Sequence, residues 1–200
     1  DMADASTEAI DEVRTAELIG SLCLATDLGM GFAFEHGLQT TLIAMRLAER
    51  LGVDRCTATE VYYASLLSHA GCTTEVHVAA EIFGSSMTEH FHPVRYGPAR
   101  ESFLGLVRSL PDPGAHRLER AAQIGRRLPR MAREARDAIS ASCEVAGMLA
   151  GQTGAPPSVP DMLAFLTDRW DGKGPLRRAR GEQIPLVMRI VHVAVDAAFQ

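Results

Sequence analysis

The stretch of sequence that decides the fold is a polar loop followed by a strongly apolar segment. The loop reads Asp168-Arg169-Trp170-Asp171-Gly172-Lys173-Gly174, and after Gly181-Glu182-Gln183-Ile184-Pro185 the chain continues as the apolar run 186–194. Asp-Gly and Gly-Pro pairs are typical of turns, because glycine adopts positive φ without a steric penalty. Pro185 stands where a helix accepts proline, in its first turn. The stretch therefore predicts a glycine-rich loop that leads into a helix.

The rest of the chain shows helical periodicity of apolar residues, and no segment alternates as a strand does. Gly52 predicts the end of one helix, and Thr57-Ala58-Thr59-Glu60 predicts the start of the next, as a capping box. Pro129 is a point at which a long helix can break. The predicted helices cover approximately 7–27, 35–51, 57–71, 74–83, 99–110, 116–151, 160–167 and the segment after Pro185. The predicted fold class is all-α.

Composition limits the function. The chain has 200 residues, 46% of them hydrophobic, and a net charge of −5, which favours one cored domain and argues against a general nucleic-acid binder. Its four cysteines form no CxxC pair, as in a protein whose thiols stay reduced. The sequence contains no signal peptide and no apolar run of about 20 residues. We therefore expect a cytoplasmic protein that does not enter membranes.

Three segments, in this order and spacing, are similar to the HD-GYP family of metal-dependent phosphodiesterases. The first runs from His36-Gly37-Leu38 to Gly52. The second, Val61-Tyr62-Tyr63-Ala64-Ser65-Leu66-Leu67-Ser68-His69-Ala70-Gly71-Cys72, resembles the family's Tyr-Tyr-Ala-Ala-Leu-Leu-His-Asp-Ile-Gly-Lys, and the third is 168–196. The resemblance implies an HD-GYP-like helical bundle over residues 29–200, with residues 1–28 forming a helix that packs on it. Because the chain lacks an initial Met and ends inside an apolar segment, we expect it to be cut from a longer protein.

Most of the metal ligands that the resemblance implies are replaced. The family's first histidine is kept as His36, whereas its signature His-Asp pair falls on Ser68 and His69. The remaining family positions fall on Cys72 (the lysine), the neighbourhood of Cys143 (the middle histidine), Leu166 and Thr167 (the histidine pair) and Val195 (the last aspartate). A two-metal hydrolase needs several carboxylate and imidazole ligands, and two nitrogens are too few even for a zinc site.

His36 and His69 are therefore the candidate metal ligands, each with an alternative. The alternative for His36 is a buried, hydrogen-bonded histidine without a metal. The alternative for His69 is a protonated histidine that the helix dipole favours at the end of its helix.

The resemblance also implies that the glycine-rich loop shapes a ligand or partner surface. Its candidate residues are Asp171, Lys173, Arg177 and His192. Lys173 and the neighbouring arginines form a positive edge, which either meets a phosphate or an acidic partner or is simply solvated. His192 lies one helical turn before Asp196, so these two side chains are expected to pair. The arginine-rich segment 117–136 is interpreted as a solvated helix face with acidic partners three or four residues away.

Two hypotheses for function follow. In the first, the chain is a degenerate, non-catalytic HD-GYP-like domain that acts as a sensory or scaffolding module of a larger bacterial regulator. It would bind a small molecule or a protein partner and could form a homodimer. Gly71-Cys72-Thr73 resembles a branch of the family with a fused helix-turn-helix domain, and nucleic acid is expected only through such a missing domain. In the second, it is a phosphohydrolase of cyclic dinucleotides or other phosphodiesters. That enzyme would use a divalent Mn, Fe, Zn or Mg ion at a rearranged site made of His36 and His69 with His92, His192 or Asp196.

Overall fold

The computed structural model describes residues 14–72 and 116–199, and these residues are helical with no strand among them. The helices are α1 (Thr15–Met30), α2 (His36–Leu51), α3 (Arg55–Leu66), α4 (Arg117–Gln152), α5 (Val159–Leu163) and α6 (Leu186–Ala198), with a 3₁₀ turn at Gly181–Gln183. The all-α prediction is confirmed. The predicted helices 74–83 and 99–110, and the histidines His77, His90 and His92, lie outside the described residues.

Helix α6, which contains the whole apolar run 186–194, packs on α2 and α3, and α1 packs on the same two helices. The buried residues of α6 are Val187, Met188, Ile190, Val191, Ala194 and Val195. Each large aliphatic side chain buried in this way contributes roughly 1.5–3 kcal/mol. Helix α4 packs on α5 and supplies the buried Cys143, Ala146 and Ala150 to the same core.

Several helix ends differ from the sequence-based predictions. Gly52 ends α2 as expected, with φ 65°. Helix α3, however, begins at Arg55 because Asp54 caps it, its side chain accepting a hydrogen bond from the Thr57 backbone N–H. The prediction of a capping box starting at Thr57 was wrong, and so was a helix end at Gly71, because regular helix stops at Leu66. Pro129 lies within α4 without ending it.

The glycine-rich loop is held against the bundle by a buried carboxylate. Asp168 accepts hydrogen bonds from the backbone N–H groups of Arg178 at 3.0 Å and Ala179 at 3.1 Å. Gly174 lies so close to the preceding turn that a Cβ there would come within 2.6 Å of the Thr167 carbonyl oxygen. The loop therefore doubles back tightly beside α6.

A second close approach joins the turn that follows α3 to α4. A Cβ on Gly71 would lie 1.9 Å from the carbonyl oxygen of Ser142, so only glycine fits here without a backbone shift. This contact places Ser142 and Cys143 next to the turn that carries Ser68 and His69.

Candidate functional site

The two candidate metal ligands meet in an aromatic cluster. His36 and His69 are 4% and 2% exposed, and their ring centroids are 5.6 Å apart. Between ring centroids, Phe32 lies 5.2 Å from each histidine, and Phe199 lies 4.3 Å from His36 and 6.3 Å from His69. We call these four residues the histidine cluster. The sequence resemblance thus identified two side chains that share one site, whereas metal binding by them stays a prediction.

The chain reaches this geometry through an anchored helix start. Glu35, the residue before α2, adopts the left-handed region with φ 65°, which is uncommon outside glycine. The buried carboxylate of Asp27 accepts the Gly37 backbone N–H at 2.9 Å. A Cβ on Gly37 would lie only 2.2 Å from the Cys23 Sγ. Helix α2 therefore packs closely on α1, and His36 is carried into the interior.

Burial controls the charge in this region. Burial lowers the pKa of His36 below its usual 6.5, and the nearby Asp27 opposes that shift. Burial also raises the pKa of Asp27, against the opposing effects of the Gly37 N–H and of His36. The Nε2 atom of His36 and the Oδ1 atom of Asp27 have no hydrogen-bond partner among the described residues. The burial of both groups favours a neutral His36 imidazole.

The residues around the cluster do not fit the metal centre that the family resemblance implies. Ser68 donates its hydroxyl to the Ser65 carbonyl at 2.8 Å and lies 3.2 Å from the Nδ1 atom of His69. Cys72, Cys143, Leu166 and Val195, which stand at family ligand or lysine positions, belong to the buried hydrophobic core. Within residues 14–72 and 116–199, no group of three or more His, Cys, Asp or Glu side chains is arranged to hold a metal ion.

A second feature is a cavity of about 570 Å³ between the turn 166–171 and the outward face of α6, which we call the α6 cavity. Its lining includes Thr167, Trp170, Arg189, His192 and Asp196. None of the four residues of the histidine cluster lines it. Neither Thr167 nor Arg189 was predicted from the sequence to bind a ligand. The spacing of residues 189, 192 and 196, which places them on one face of a helix, was a signal that could have found Arg189.

The four residues predicted to form a ligand surface divide into two groups. Asp171 and His192 line the α6 cavity, whereas Lys173 and Arg177 are exposed outside its lining. The Nε2 atom of His192 lies 3.1 Å from the Phe165 carbonyl oxygen, and because a carbonyl only accepts, Nε2 carries the proton. His192 and Asp196, which were expected to pair, both line the cavity.

Asp171 has a structural partner. It pairs with Arg169 at 3.0 Å and accepts the backbone N–H of Lys173 at 3.0 Å, and the Arg169 hydrogen bond is the main cause that lowers its pKa to about 2. In the arginine-rich segment, Arg136 donates to the Pro175 carbonyl at 3.0 Å. That side chain therefore tethers the glycine-rich loop as well as facing solvent.

Comparison with known proteins identifies the fold. No protein-family model matches the chain, and no curated protein matches it. The chain is similar to the crystal structure of a cyclic GMP-AMP-specific phosphodiesterase from V. cholerae, with a TM-score of 0.57 and 22% sequence identity. The match covers 90% of this chain but only 39% of that one. This likeness confirms the predicted all-α, HD-GYP-like helical bundle. Across the described ranges, no helix is both long and apolar enough to span a membrane.

Proposed function

We propose that this chain is a non-catalytic domain with the helical phosphodiesterase fold, which binds a small molecule or a protein partner as part of a regulatory protein. The observation that supports this most directly is the Phe199 ring, whose centroid lies 4.3 Å from that of His36. An aromatic side chain packs on the imidazole that the resemblance assigns as a metal ligand.

The chemistry of the cluster supports the same proposal. A zinc ion bound to histidine lies about 2.0–2.1 Å from the ring nitrogen and requires further nitrogen, oxygen or sulfur donors. Here the neighbours of His36 include Phe32 and Phe199, which donate no lone pair. His69 and the Asp27 carboxylate are also buried nearby, but within the described residues they do not form with His36 a group arranged to hold an ion, and burying a doubly charged ion without enough donors is strongly unfavourable. The site is therefore better suited to rigid packing than to activation of water.

The test is metal content combined with turnover. The 200-residue chain is purified with manganese and iron in the growth medium, analysed by mass spectrometry of metals, and assayed on bis(p-nitrophenyl) phosphate with added Mn²⁺. We expect substoichiometric metal and no turnover above buffer. Stoichiometric metal with turnover that is lost in His36→Gln, but kept in the exposed control His116→Gln, would overturn the proposal.

The second candidate function is phosphodiester hydrolysis at a rearranged metal site. Two observations favour it: the likeness to a phosphodiesterase structure and the proximity of the two buried imidazoles. The same assay separates the two functions when cyclic dinucleotides are included as substrates. Hydrolysis that depends on both His36 and His69 would establish the second function. The homodimer and the cytoplasmic location remain predictions of the sequence.

A further inference from the structure

We infer that the α6 cavity binds a small ligand that combines a planar aromatic ring with an anionic group. The inference deepens the proposed function, on which it rests for a binding rather than a catalytic role. It depends on three residues, Arg189, Thr167 and Trp170, which come from α6 and from the turn before the glycine-rich loop.

Arg189 supplies a cation whose hydrogen bonds are incomplete. Its Nε atom is buried and has no hydrogen-bond partner among the residues that the structure describes. A buried donor without an acceptor destabilises a protein, and a guanidinium donor more than a neutral one. A carboxylate or phosphate in the cavity would accept this hydrogen bond in the charge-assisted form that arginine makes best.

Thr167 is an independent indication of the same ligand group. Thr167 is 8% exposed, and its hydroxyl oxygen is buried with no hydrogen-bond partner in the described parts of the chain. Threonine stands where the family resemblance places a metal-binding histidine. Thr167 lines the cavity, and a ligand oxygen that reached this hydroxyl would supply the missing partner.

Trp170 provides the aromatic component. Trp170 is 61% exposed although it lines the cavity. The guanidinium carbon of Arg189 lies 5.8 Å from the centroid of its ring. Because this cation is near the ring, an anion held by Arg189 is brought close to the indole. A planar ligand attached to that anion is then placed to stack on the indole, in an offset or edge-to-face arrangement.

The other charged groups of the cavity define where the anion binds. Arg169 is engaged by Asp171, and Asp168 is engaged by two backbone N–H groups of the loop. Asp196 lies two helical turns beyond Arg189 and repels an anion at that end. The anionic group is therefore expected beside Arg189 and Thr167. The volume, about 570 Å³, lies within the roughly 300–1,000 Å³ of known small-molecule sites.

The experiment uses the fluorescence of Trp170, which is the single tryptophan of the chain. The protein is titrated separately with adenosine monophosphate, benzoate and inorganic phosphate. We expect a saturable change with adenosine monophosphate or with benzoate, and a weaker one with phosphate, which lacks the ring. The first probe identifies a nucleotide-type ligand, and the second an aromatic carboxylate.

Variants connect the signal to the cavity. Thr167→Val keeps the shape and removes the hydroxyl, so we expect affinity to fall several-fold, and Arg189→Gln to reduce it about tenfold or more. Arg50→Gln, an exposed residue outside the cavity, is the matched control and should not change affinity. Circular dichroism checks that each variant folds, and Arg189→Lys, which keeps the charge, replaces Arg189→Gln if that variant does not fold.

No saturable signal from any probe would overturn the inference, and so would equal affinities in wild type, Thr167→Val and the Arg189 variant. Either result leaves the proposed function intact as long as metal and turnover are absent. Conversely, metal-dependent turnover would overturn the proposed function without affecting the fluorescence titration.

Discussion

At the scale of single residues, the histidine cluster places two imidazoles against two phenyl rings, with Phe199 4.3 Å from His36 between ring centroids. The sequence resemblance correctly brought His36 and His69 to one place, because both lie in segments that match the family at a fixed distance from a glycine. It did not predict Phe32 or Phe199 as their neighbours. Apolar residues near chain turns carry no chemical signal, and which rings fill the space is decided only by three-dimensional packing.

The first prediction concerns the pH dependence of stability. The pKa of His36 is lower in the folded state than its ordinary 6.5, so the unfolded chain binds more protons just below that pH. The free energy of unfolding should therefore fall as the pH is lowered from 6.5, by at most about 1.4 kcal/mol per pH unit for this one group. In His36→Gln this loss should disappear, as measured by urea unfolding between pH 5 and 7.5.

Asp27→Asn is the complementary variant, because the contribution of Asp27 to stability changes with pH in the direction opposite to that of His36. Burial raises the pKa of Asp27 above 3.8, so its contribution to stability is present at low pH and is lost as the pH rises through the raised value. Removing the carboxylate also removes the charge that favours protonated His36. The variant should lose stability on acidification more steeply than wild type, and identical profiles for all three proteins would contradict this account.

The second prediction is a pair of glycine substitutions. Gly71→Ala puts a methyl group 1.9 Å from the Ser142 carbonyl oxygen, and overpacking of this kind costs about 1–3 kcal/mol. Gly20 lies within α1, and a methyl group added there would have nothing within 4 Å, so Gly20→Ala should instead stabilise by about 0.5–1 kcal/mol. Urea unfolding measures both changes. A neutral Gly71→Ala would show that the close approach of α4 to the turn after α3 is not rigid.

At the scale of elements, the helix centres were easier to predict than their ends. The range predicted for α2 ends at the observed residue, because amphipathic spacing and Gly52 act together. The start of α3 was predicted two residues too far along the chain, at Thr57 and not at Arg55, because two capping signals overlap. Asp54 accepts the hydrogen bonds of Thr57, whereas Glu60 accepts one from Ser158, a residue 98 positions away. A contact at that separation cannot be found from local sequence.

The third prediction follows from this cap. Asp54→Ala removes both hydrogen bonds to Thr57 and should lower the free energy of unfolding of the chain. Asp54→Asn retains a side-chain oxygen that caps comparably well, so its free energy of unfolding should remain close to that of wild type. Thermal and urea unfolding compare the two variants. Equal losses in both would indicate that the charge of Asp54, and not its hydrogen bonds, stabilises the helix start.

At the scale of the whole molecule, the fold was predictable and the α6 cavity was not. The periodic apolar segments were sufficient to predict the all-α class, because burial of periodic apolar faces depends on pattern more than on detail, and the resemblance to the HD-GYP family supplied the prediction of the helical bundle. The cavity depends on the turn 166–171 lying against α6, and that arrangement requires Asp168 to accept two N–H groups ten and eleven residues away. Such a contact has no periodic signature.

The fourth prediction asks whether the bundle needs a metal to be stable. An ion bound only by the folded state, at a hundredfold excess over its Kd, stabilises by about 2.7 kcal/mol, and each kcal/mol raises the Tm of a chain this size by roughly 2–4 °C. Because Leu166 and Val195, where the resemblance places metal ligands, are part of the hydrophobic core, we expect the same Tm in a chelator and in excess Mn²⁺. Calorimetry measures both. A rise in Tm with Mn²⁺ that is lost in His36→Gln and His69→Gln, but retained in His116→Gln, would instead mean that the two imidazoles still hold an ion.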